Sequence, residues 1–164
     1  MLVTLNVAFV CWIYMTLHMR SIFLSTMGIL IVLMAVPISL VIYVKVFGIE
    51  YFSSIHIAVV IIIIGIGADD IFVFHDAWRH ARAIKSIRKD HVKVLAHTVR
   101  ESTSAMFLTS ATSTMAFVAC SMSKIMPIRA FGIFSAIVVP TVYILTIAVM
   151  PFAYFIYEVY ILEL

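Results

Sequence analysis

Two adjacent carboxylates, Asp69 and Asp70, stand inside the apolar run IHIAVVIIIIGIGADDIFVFHDAW, residues 55–78. A charged side chain near a bilayer centre costs about 3 kcal/mol on insertion scales and more by other measures. Two in succession need a cation, a proton, a partner or a water-filled cavity. Carboxylate oxygens are hard cation ligands, and carboxyl groups taken out of water also exchange protons. A structural ion pair is the third option. No Lys or Arg of the chain lies at similar depth, so such a clamp would need a partner from outside it.

The surroundings of the pair suggest supporting residues. Gly65 and Gly67 precede it and permit close helix approach. Neighbouring residues on a helix point about 100° apart, so each aspartate faces a different neighbour. Asp76 lies seven residues beyond Asp69, on the same helical face. It either extends a polar path or caps the basic segment that follows. A later span carries Thr103, Ser104, Thr109, Ser110, Thr112, Ser113 and Thr114. Most such hydroxyls bond back to their own helix. Thr109, Thr112 and Ser113 share one face and are the best candidates to sit opposite Asp69 and Asp70. Beyond a monovalent cation at the pair, no metal site is expected.

The elements that hold these residues are membrane spans. Of 164 residues, 65% are hydrophobic, against about 45–50% in soluble domains. The pattern predicts an all-α, polytopic membrane helix bundle in a single domain, residues 1–164. Five spans are expected at about 2–17, 26–47, 55–77, 103–122 and 128–157. Residues 78–101 hold seven Lys or Arg around Ile84, Ile87, Leu95 and Val99, which predicts a separate amphipathic helix on the membrane surface. The same excess places that segment in the cytoplasm. Tyr154, Tyr157 and Tyr160 suggest an interfacial aromatic belt. Cys11 and Cys120 read as small buried hydrophobes. The chain starts already hydrophobic and stops without a polar tail, which reads as a piece of a longer protein.

Gly65-Ile66-Gly67-Ala68-Asp69-Asp70 fits a GxxxDD pattern. In a span, followed by a basic segment and then a TSxTS span, it resembles the resistance-nodulation-division transporters. The resemblance is to their eukaryotic sterol-sensing-domain branch, the Patched/Dispatched family. IFVFHDAWRHA and TSATSTMAFVACSMSKIMPIRAFGIFSA resemble its Dispatched members most. Patched and Niemann–Pick relatives commonly have an acidic residue where this chain has Thr114.

The resemblance implies a sterol-sensing-domain core, one half of a twelve-helix transporter. It implies that Asp69 and Asp70 belong to a cation relay coupled to Na+ or H+, with no other cofactor. It implies export or release of sterol-modified or other lipid ligands. The partners implied are membrane lipid or sterol, a lipidated protein ligand, and a second transporter half and ectodomains absent from these residues. Nucleic acid and enzymatic activity are not expected, and the plasma membrane is favoured over endomembranes. The alternative is a non-transporting sterol-sensing module that regulates a partner, although a sensor needs no intramembrane carboxylates.

Overall fold

The computed structural model describes residues 2–47, 55–84 and 90–160. They form five helices: α1 (Leu2–Met19), α2 (Ile22–Phe47), α3 (Ile55–Ala83), α4 (His91–Ser121) and α5 (Met126–Tyr160). No strand occurs among the described residues, so the all-α expectation holds. Ile22–Lys45, His91–Ser121 and Met126–Val159 are long and apolar enough to cross a membrane. The apolar stretch of α1, Asn6–Met19, is shorter. At 29 residues α3 has ample length, but it carries Asp69, Asp70 and Asp76. Large apolar side chains such as Leu17, Phe107, Leu108 and Phe152 face outward, as they do where lipid is the solvent.

Helix α5 packs against α2, α3 and α4, while α1 packs against α2 and α3. Side-chain pairs set the register. Gly67 approaches Val142, the Phe74 and Tyr154 rings meet at a tilt with centroids 5.1 Å apart, and Trp78 bonds Glu158. Helices α3 and α5 therefore run parallel. Helix α4 runs antiparallel to α5, with Phe107 beside Tyr143 and Phe117 beside Phe131. Pro37, Pro140 and Pro151 lie inside helices, where neighbouring helices re-satisfy the freed carbonyls.

The basic segment departs from expectation. Instead of one surface helix over 78–101, residues 78–83 continue α3 and residues 91–101 open α4; residues 85–89, with Ile87, lie outside the described residues. The buried face of α4 is Val94, Thr98, Ser102, Met106 and Ser110, an i, i+4 row that runs unbroken from the basic part into the hydroxyl-rich part. Leu95 and Val99 only flank it. Small hydroxyl residues let α4 lie close to its neighbours, so one long packed helix replaces the amphipathic one. Tyr154 also differs: it is fully buried in the core rather than interfacial. Cys11 is half-buried and Cys120 exposed.

Asp90 starts α4. Its side chain accepts from the Lys93 N–H at 3.4 Å and pairs with Lys93 Nζ at 3.0 Å. The hydrogen bond from the Lys93 side chain, followed by that from its backbone, holds the Asp90 carboxyl below the ordinary range. A carboxyl lowered in the folded state stabilises it above the unfolded value and loses that contribution as pH falls through the folded one. Amide protection in the first turn of α4, taken relative to the intrinsic exchange rate at each pH, should therefore be flat from neutral pH to about pH 5 and fall only below about pH 4. Asp90→Ala should show the lowered protection already at neutral pH.

Candidate functional site

The two aspartates part company on α3. Asp70 is 2% exposed, and its Oδ2 has no hydrogen-bond partner. Asp69 faces outward. Gly65, one turn before Asp69, is also exposed, and a Cβ there would meet nothing within 4 Å. Asp76 faces outward as well. Ile62, Gly65, Asp69 and Asp76 thus form one outward stripe, open for another element to cover. Gly67 does the opposite job. A Cβ on it would lie 2.5 Å from Val32 Cγ2 and 3.4 Å from Val142 Cγ1. Its missing side chain lets α3 close on α2 and α5, which is why water is excluded one turn later at Asp70.

Register identifies what lies level with Asp70. Gly67 is opposite Val142, so Asp70 falls at the level of Thr146, which is fully buried. Through the antiparallel pairing of α4 with α5, that level is near Ser102 of α4, also buried. The hydroxyls expected opposite the pair sit elsewhere. Thr109 is seven residues past Ser102, about 10 Å along the helix. Thr109 and Thr112 are exposed and Ser113 is half-buried. The Thr109 hydroxyl donates to Met106 O at 3.0 Å, and that of Thr112 to Leu108 O at 3.0 Å. Depth and outward facing, rather than these bonds, set them apart from Asp70, since a hydroxyl that donates its proton keeps its lone pairs.

Other hydroxyls have free capacity. Ser39, Ser110 and Ser135 are buried, and none of the three Oγ atoms has a partner. Tyr43 of α2 meets Phe134 of α5 edge-on at 5.5 Å, and with α2 antiparallel to α5 this brings Ser39 within about one turn of Ser135. Ser110 pairs in register about one turn away. The three orphaned hydroxyls therefore lie within about one turn of one another along the bundle, displaced from Asp70 toward the end of α5 that bears Met126. The i, i+4 row Thr98, Ser102, Ser110 on α4 was the sequence signal for the inward set.

A second polar group closes the other end. Glu158 of α5 is 2% exposed. It accepts from Trp78 Nε1 at 2.9 Å, meets His91 Nδ1 at 3.3 Å and lies 3.8 Å from Arg82 Nε. The Arg82 guanidinium stacks over the Trp78 ring at 5.2 Å. Beside it His75 Nδ1 pairs with Tyr154 Oη at 2.8 Å. One carboxylate so ties α3 and the start of α4 to the end of α5. Glu158→Ala strands the Trp78 donor and should destabilise the fold by about 1–3 kcal/mol, read as a lower thermal unfolding midpoint. Glu158→Gln keeps an acceptor for Trp78 and should lose less.

Comparison with known proteins places the chain in a family. The Patched SSD family model matches residues 1–156. Protein dispatched homolog 1 of Mus musculus is 30% identical over 150 residues, covering 92% of this chain and 10% of that protein. Protein dispatched homolog 3 of Gallus gallus is 33% identical over 141 residues, covering 86% of this chain and 10% of that protein. Protein dispatched of Drosophila melanogaster is 31% identical over 156 residues, covering 82% of this chain and 13% of that protein. The chain thus spans about a tenth of the length of the curated relatives it matches.

Proposed function

This chain belongs to the Patched/Dispatched family of integral membrane proteins, and from that premise we propose that it forms part of a cation-coupled transporter exporting or releasing sterol-modified or other lipid ligands. The observation that carries the reading is Asp70: a carboxylate 2% exposed with Oδ2 unpaired, inside an apolar helix. Burial of an unpaired charge is too unfavourable to persist, so the group either takes a proton or meets a cation. The donors present suit Na+ or H+, since carboxylate and hydroxyl oxygens are hard ligands.

In this reading Asp70 is the inner ligand and Asp69 the outer one. Asp69 belongs to the open stripe with Gly65 and Asp76, and a second transporter half covers that stripe and adds the opposing groups. Ser39, Ser110 and Ser135 supply oxygens along the route. Helix α3 feels occupancy of Asp70 directly, because Gly67 locks it against α2 and α5 one turn away. The basic ends of α3 and α4 face the cytoplasm, and the plasma membrane is the site of action.

A cation-gradient experiment tests this. Ligand release by the full natural polypeptide should fall when external Na+ is replaced by choline or when the proton gradient is collapsed. Indifference to both, together with sterol-dependent binding of a protein partner, would select a second reading: a sterol-sensing regulatory module. One observation favours that alternative. A groove of 890 Å³ between α4 and α5 is walled mainly by apolar groups, including Leu95, Val99, Phe107, Tyr143 and Pro151.

A further inference from the structure

We propose that a pocket between the ends of α1 and α3 binds the phosphate-bearing headgroup of an anionic phospholipid. The pocket has a volume of 550 Å³ and is lined by Leu17, His18, Arg20, His75, Trp78 and Arg79, among others. Two guanidinium groups and two imidazoles converge there, and Asp76 is not among the lining residues. The floor is built rather than incidental. His75 is 4% exposed and Trp78 8% exposed. Tyr154 holds His75 by Nδ1 at 2.8 Å, which leaves Nε2 for the pocket. The His18 and His75 rings lie 6.0 Å apart across it.

The backbone contributes as well. Arg20 stands at the tight junction between α1 and α2 with φ of 51°. A non-glycine residue in the left-handed region is retained where its surroundings require it, often at ligand sites. Helix α2 begins two residues later at Ile22, so the positive end of its dipole adds to the field on an anion. Guanidinium groups match phosphate oxygens in bidentate geometry.

The rim identifies the ligand as a lipid. Leu17 is 72% exposed and Tyr14, nearly one turn before it, is 59% exposed. They form an apolar track leading from the pocket along α1, where an acyl chain lies while the phosphate meets Arg20 and Arg79. A free phosphate compound has no use for that track. Basic pockets between membrane helices are a recurrent setting for such headgroups.

Binding to the purified full natural polypeptide in detergent provides the test, with dioctanoyl phosphatidylinositol bisphosphate as probe and inositol trisphosphate as the soluble counterpart. The lipid should bind saturably and at least about tenfold more tightly than the soluble compound. Arg20→Gln/Arg79→Gln should weaken lipid binding about tenfold or more, whereas Arg20→Lys/Arg79→Lys should keep most of it. Arg79→Gln alone, at an exposed helical position, should weaken binding with the unfolding temperature unchanged; this variant carries the test if the Arg20 change perturbs folding. Lys124→Gln, at the opposite end of the bundle, should have no effect. Equal binding by wild type and Arg79→Gln overturns the proposal, and so does an equal loss in Lys124→Gln. Equal affinity for lipid and inositol trisphosphate overturns the assignment to a lipid.

Discussion

Asp69→Asn/Asp70→Asn in the full natural polypeptide is expected to reduce ligand release about a hundredfold, the equivalent of losing about 3 kcal/mol of charged contact. Folding should survive. Asp70 Oδ2 has no partner to lose, and amide for carboxyl is nearly isosteric. Removing a charge from a dry site is neutral or stabilising unless it strands a partner. Surface abundance and thermal unfolding should therefore match wild type while release falls. Single substitutions separate the two roles. Asp70→Asn removes the buried ligand and should account for most of the loss. Asp69→Asn acts on the open stripe and should matter only where another element covers it. Release at the wild-type level by the double variant sinks the relay.

The second large effect concerns Gly132. A Cβ there would lie 2.5 Å from Ser121 N, 2.8 Å from Phe117 O and 2.9 Å from Cys120 C. All three are backbone atoms, so no side chain can swing aside. The α4–α5 hairpin must open, which moves α4 along its long contact with α5. Gly132→Ala should cost about 1–3 kcal/mol and Gly132→Leu more, seen as a lower unfolding midpoint. Gly65→Ala is the matched control. Its Cβ meets nothing, and alanine is favoured over glycine in a helix by about 0.8–1 kcal/mol. Stability should hold or rise. An equal loss in both variants would mean that helix geometry, rather than the close approach of α4 and α5, sets the cost.

What could be read in the residues follows from the range of the physics. Hydropathy is local, and five helices follow from it directly. The 100° step between Asp69 and Asp70 is local too, and one carboxylate is indeed turned inward and the other outward. Which one turns inward depends on tertiary packing, which Gly67 settles through Val32 and Val142. The features that the residues alone do not show are long-range. Glu158 lies 80 residues from Trp78 and has no sequence pattern that announces their bond. Thr109, Thr112 and Ser113 share a face, but facing is not depth. Only the pairing of α4 with α5 shows that Ser102, rather than Thr109, is level with Asp70. Charge and apolar spacing in the basic segment point to a surface helix. The buried row of small and hydroxyl residues that runs through it instead extends α4.

Gradient-driven release from vesicles tests the cation site most directly. The full natural polypeptide, reconstituted with a lipidated ligand, is given an imposed Na+ or H+ gradient of controlled size, alongside Asp70→Asn. Wild-type release should rise with the gradient for one of the two ions and stop when that gradient is collapsed. Asp70→Asn should show no gradient dependence. Wild-type release that is the same with and without either gradient, or an Asp70→Asn protein that follows the gradient as wild type does, contradicts the account.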